Sequence, residues 1–141
     1  MVILYFHSLN YNPSILKMKP FKIVDEEIAY LEMYDDFVIS SIKDGITFDL
    51  EELNWFVMIL DKYYPNKKFG YISNRIYDYS LNPTTYFTSA MYEKLNAMAI
   101  VCYSEVAKKT ALFEKNFSKK PFEVFQDMEE AKNWVLKYQK K

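Results

Sequence analysis

Only two glycines, Gly45 and Gly70, occur in 141 residues. Walker and Rossmann loops need several glycines at fixed spacing so that backbone N–H groups can approach a phosphate, and both are excluded. A single cysteine, Cys102, excludes an intramolecular disulfide and with it a disulfide-stapled secreted scaffold. It sits in the apolar run Ala97–Tyr103, a setting for a buried, inert thiol; a reactive thiolate wants a cationic, partly exposed one. A single histidine, His7, leaves no zinc-ligand set at close spacing, and nothing places it beside a nucleophile. No stretch approaches the roughly 20 apolar residues that cross a bilayer. The apolar start, Met1–Phe6, has no basic flank and is too short for a signal peptide. These absences predict a cytoplasmic chain with no metal site, no cofactor and no catalytic residue that can be named.

What remains is rich in core-forming residues: 50% hydrophobic and 18% aromatic, ample for one packed domain. The formal charge is −1 but unevenly spread. Residues 1–66 carry five lysines against eleven acids, net −6; residues 67–141 carry thirteen basic groups against eight acids, net +5. Two solvated surfaces explain this, and so does a dipolar molecule that associates acidic face to basic face.

Phe21–Val24, Glu27–Tyr34 and Phe37–Ile42 read as strands. Asp35-Asp36 supplies a two-residue polar break, as in a β-hairpin, and Lys43-Asp44-Gly45 a turn. Asp49 with Glu52 forms a capping box. Leu53, Phe56, Val57, Leu60 and Tyr64 follow at helical spacing until Pro65. Phe69–Ser73 is a short strand and Asn74–Leu81 a polar loop. Asn82-Pro83 then predicts a helix through about Lys94. Ala97–Tyr103 suits a central strand covered on both faces. Ser104 caps a helix over roughly 105–117, with Val106, Thr110, Phe113 and Phe117 on its core face and Ala107 and Ala111 alongside. Pro121–Phe125 is a last strand, and Asp127 with Glu130 opens a final helix with Ala131, Trp134, Val135 and Tyr138 on one stripe.

The expected fold class is therefore α/β: a mixed, mostly parallel sheet opened by an antiparallel β-hairpin, with helices packed on it. Residues 18–141 form one domain; residues 1–17 are an N-terminal extension or a short extra strand.

Four segments resemble the SpoIIAA-like, STAS-type fold, and in particular a group of small bacterial SpoIIAA-like proteins. They are Tyr34–Ser40 with Asp44-Gly45; Tyr71–Ile76 through Tyr79-Ser80 to Asn82-Pro83; Ala97–Tyr103; and Phe113–Phe117 with Pro121–Phe125 and Glu130–Trp134. The resemblance implies a non-enzymatic regulatory or protein-interaction module, acting on a regulatory protein partner or as a homodimer. Anti-sigma-factor antagonists carry a phosphorylated serine in an Asp-Ser-x-Gly turn; the corresponding Ile72-Ser73-Asn74-Arg75 has no such glycine.

In open α/β sheets ligands favour the crevice beyond the carboxyl ends of the strands. That rule selects Ser73, Asn74, Arg75, Asp78, Tyr79 and Ser80 after one strand and Ser104 after another as ligand- or partner-binding candidates. Arg75 is the only arginine, and its planar fork suits an anion; the alternative is a structural bridge to Asp78 or another loop acid. Ser104 is a phospho-acceptor at a helix N-terminus or simply its cap. Lys108, Lys109, Lys115, Lys119 and Lys120 form a basic cluster, but without a track of stacking aromatics it does not make a nucleic-acid groove. Two other functions remain open. One is a small-molecule or lipid-binding domain for an apolar or anionic ligand, with Met33, Met58, Met91 and Met98 as candidate pocket walls. The other is an enzyme working without histidine or metal.

Overall fold

Alternation of buried and half-buried positions along Ala29–Met33 makes this segment (β2) a strand with one face on the core. Its neighbours are β1 (Lys22–Asp25) and β3 (Phe37–Ile42). The computed structural model describes residues 18–90 and 92–139. The expectations for residues 1–17, including His7, lie outside the described residues.

β1, β2 and β3 form an antiparallel meander, with Asp35-Asp36 at the turn closed by Tyr34 N–H donating to Phe37 O at 2.8 Å. β3 then pairs parallel with β5 (Phe69–Arg75), β5 with β7 (Leu95–Cys102) and β7 with β8 (Phe122–Phe125). The sheet order is β1-β2-β3-β5-β7-β8, the mixed sheet expected from the strand–helix alternation.

Helix α1 (Leu50–Tyr63) starts at the Asp49–Glu52 capping box and ends before Pro65, where Asn66 adopts φ 55°. It covers one face of the sheet together with α2 (Thr85–Ser89) and α3 (Glu105–Glu114). Helix α4 (Met128–Lys137) covers the other face with Ala131 and Val135 against Ile72, Ala99 and Val101. A short 3-10 turn, Lys115–Phe117, follows α3.

Three local expectations are corrected. The helix expected through Lys94 is only the five residues of α2. The segment has β-branched Thr84, Thr85 and Thr88 and no sustained apolar stripe, so nothing carries a helix further. The loop Asn74–Leu81 is partly regular: β5 runs on to Arg75, and β6 (Ser80–Leu81) pairs parallel with β4 (Thr47–Phe48) in a separate two-stranded sheet. Gly45, at φ 78°, makes the turn beside it and donates N–H to Asp78 O at 2.9 Å. Finally, α3 is rotated from the expected orientation. Ala111 and Glu114 are buried, whereas Val106, Phe113 and Leu112 are exposed. The small side chains let the helix approach the sheet closely.

Candidate functional site

Period-2 alternation along β5 turns Tyr71, Ser73 and Arg75 to the α1 side of the sheet and Ile72 and Asn74 to the other. β5 is central, so the Arg75 side chain emerges in the interior at the carboxyl end of the parallel strands. It is 8% exposed. An isolated charge there would be costly; this one is met by Glu114, brought over β5 by α3, whose own side chain is 4% exposed.

The pair is bidentate. Arg75 Nη1 donates to Glu114 Oε2 at 2.9 Å and Nη2 to Oε1 at 2.6 Å. Tyr86, from α2, donates its hydroxyl to Glu114 Oε1 at 2.7 Å and accepts from Arg75 Nη2 at 3.4 Å. Arg75 Nε donates to Ser73 Oγ at 3.3 Å, and the guanidinium lies 5.6 Å from the centre of the Tyr79 ring. Burial pushes the Tyr79 and Tyr86 hydroxyls above their ordinary range, with Arg75 pulling the other way. Both are therefore neutral phenols at physiological pH. Burial lowers the Arg75 pKa, but its partners outweigh this and the net direction is upward.

These side chains line one end of a partly open pocket of about 70 Å³ between the sheet and helices α1 and α2. The remaining wall is mostly apolar: Phe48, Leu53 and Phe56 on one side, Tyr71, Met98 and Ile100 on the sheet. Beside it in register with Ser73 lies Ser40, whose buried Oγ is without a hydrogen-bond partner. Of the methionines offered as pocket walls, Met98 lines the cavity, Met33 is packed in the core away from it, Met58 is exposed, and Met91 lies outside the described residues.

The structure thus brings Ser73, Arg75 and Tyr79 together and separates the other candidates from them. Asn74 points to the opposite face and accepts from the exposed Tyr103 hydroxyl at 2.5 Å. Asp78 is exposed and meets Gly45 through its backbone only. Ser80 is exposed on β6. Ser104 caps α3, its Oγ accepting from Ala107 N–H at 3.1 Å. Glu114 and Tyr86 were not among the sequence candidates. The available signal was the spacing Ala107, Ala111, Glu114, which puts a carboxylate on the small-residue face of α3. Arg75 is bridged, as the alternative reading had it, but to a helix acid rather than to Asp78.

Of the basic cluster, Lys115 pairs with Glu123, and Lys120 donates to the carbonyls of Tyr92 and Leu95 at 2.6 and 2.5 Å. Lys108, Lys109 and Lys119 make no ion pair among the described residues. Nor, among those residues, do three His, Cys, Asp or Glu side chains gather where they could hold a metal ion. No helix among them is long and apolar enough to cross a membrane.

No family model matches the sequence, and no curated protein matches it. Among solved structures, the chain is similar to an uncharacterised protein of the DUF3478 family with a SpoIIAA-like fold from Shewanella loihica PV-4. The TM-score is 0.51 at 11% identity, over 81% of this chain and 90% of that one. The sheet order, the opening antiparallel strands and this likeness agree that the chain has the SpoIIAA-like fold.

Proposed function

We propose that the chain is a non-catalytic regulatory module that binds another protein through the outward face of α3. The observation that carries this reading is the inverted helix. Val106 is 76% exposed and Phe113 57%, two turns apart on one face, while the alanines take the core. Phe117 extends the face, packed at 5.3 Å from Phe113 and 5.8 Å from Phe87. Aromatic anchors in such a cluster are the usual centre of a protein interface.

The rim is basic: Lys108, Lys109 and Lys119, the last 5.5 Å above the Phe87 ring. A partner with an apolar centre and an acidic rim complements it. A second copy fits less well. A two-fold contact over α3 would set these lysines against their own copies.

Native mass spectrometry of complexes drawn from the protein's own cell extract tests this, with wild type beside Val106→Glu and Phe113→Glu. Both substitutions are at exposed positions, and circular dichroism checks that each variant keeps the fold. The expected result is one stoichiometric complex with an acidic protein, weakened by salt and absent with both variants. A complex that survives both substitutions, a homodimer alone, or a bare monomer would overturn the reading.

A further inference from the structure

From the cavity beneath α1 and α2, we infer a binding site for a small neutral molecule with an apolar body and one hydrogen-bond acceptor, such as a short alcohol or ketone. This goes beyond the α3 surface and does not depend on it.

Size comes first. A single water needs roughly 10–15 Å³ of such volume. A pocket of about 70 Å³ therefore has room for a molecule of about five to seven non-hydrogen atoms.

The wall sets polarity. Phe48, Phe56, Met98 and Ile100 offer nothing to a charged or multiply polar molecule. Ser73, Arg75, Tyr79 and Tyr86 meet at one end, while the hydroxyls of Thr85, Ser89 and Tyr92 along the wall are bonded to Asn82 O, Tyr86 O and Asp61. That convergence fixes the orientation of a ligand whose single polar group lies at one end.

Charge is decided by Glu114. An isolated Arg75 would call for a carboxylate or phosphate. Here the guanidinium already holds a carboxylate in a bidentate bond, and the pair is neutral overall. An anionic ligand would have to stand beside Glu114 in a site shielded from water, where like charges repel strongly. A guanidinium has five N–H donors. Those of Arg75 are directed to Ser73 Oγ, to both Glu114 oxygens and to Tyr86, which leaves one N–H on Nη1. That remaining N–H suits a neutral acceptor in a largely apolar pocket.

Methyl-resonance titration with 1-butanol, and separately with butyrate, tests the inference on the full chain. Saturable shifts confined to the methyls of Met98, Ile100 and Ile42 are expected with 1-butanol, with butyrate at least tenfold weaker. Leu81→Phe, which narrows the cavity from β6, should abolish the shifts. Leu53→Trp does the same from α1, should the first variant not fold. Absence of saturable shifts with 1-butanol, shifts undiminished in a folded filled variant, or butyrate binding as tightly as 1-butanol would each overturn it. None of these outcomes bears on α3 partner binding, which is read by Val106→Glu and Phe113→Glu.

Discussion

Arg75 and Glu114, 39 residues apart in the chain, share two hydrogen bonds of 2.9 and 2.6 Å in the interior. The pair fastens α3 to the end of the central strand β5. Desolvating both charges offsets much of their mutual attraction, so the pair is not a large net gain over a well-packed apolar pair. Removing one partner is different, because the other stays buried and unpaired. Glu114→Ala should cost about 3–5 kcal/mol of stability. Arg75→Met combined with Glu114→Leu should cost less than Glu114→Ala alone. Urea denaturation of the single and double variants measures this. Equal or greater loss in the double variant would mean that the ion pair itself is the source of stability.

A second close approach sits on the opposite face of the sheet. A Cβ added at Gly70 would lie 2.0 Å from Val135 Cγ1. Val135 is fully buried on α4, and the glycine is what lets that helix seat on β5. Gly70→Ala should therefore destabilise by about 1–3 kcal/mol through overpacking. Val135→Ala opens the space, so in the double variant the two losses should fall short of additive. Additive losses in denaturant titrations would show that α4 has shifted to accommodate the methyl group.

The elements with strong periodicity were legible in the sequence. The strand-forming run Glu27–Tyr34 and the capped stripe from Asp49 to Tyr64 gave a strand and a helix where the structure has Ala29–Met33 and Leu50–Tyr63. Patterns that depend on tertiary context were not. The α3 stripe of Val106, Thr110 and Phe113 has the spacing of a core face, yet the helix buries its alanines and Glu114 instead. Nothing local distinguishes an apolar stripe that faces a core from one that faces a partner. The β4–β6 pair was illegible for another reason: two-residue strands have no period to read. In the candidate site, Ser73, Arg75 and Tyr79 followed from the strand-end rule. Glu114 needed the fold, because its partner lies on another element.

Cys102 should be silent to thiol reagents. It is 1% exposed, and burial pushes its thiol pKa up. Only molecules that open locally can react, so modification of the native chain should be at least about a hundredfold slower than in urea. A colorimetric thiol assay in both conditions checks this. A native rate near the unfolded one would place the end of β7, and with it the carboxyl edge of the sheet, in frequent opening.

Alkaline pH should unfold the protein. Burial, then the neighbouring Glu32 carboxylate, pushes the Tyr34 pKa from its ordinary 10.0 up to about 12. Burial likewise raises Tyr64, Tyr71, Tyr79 and Tyr86. Tyr64 matters most to the fold, since its hydroxyl is shared between the carbonyls of Tyr34 and Phe37 at 2.6 and 2.9 Å and thus braces the β2–β3 turn. A raised folded-state pKa means that the native state keeps its protons where the unfolded chain releases them. The stability contributed by these protonated phenols is fully present below pH 10 and is lost as pH climbs through the folded values. Tyrosinate absorbance and circular dichroism recorded on one pH series should accordingly change together, in a cooperative step above about pH 10. Tyr64→Phe removes the brace and one ionising group, so this variant should be less stable at neutral pH by about 1–3 kcal/mol. If tyrosinate forms in full while the dichroism is unchanged, the phenols are not buried in the native state.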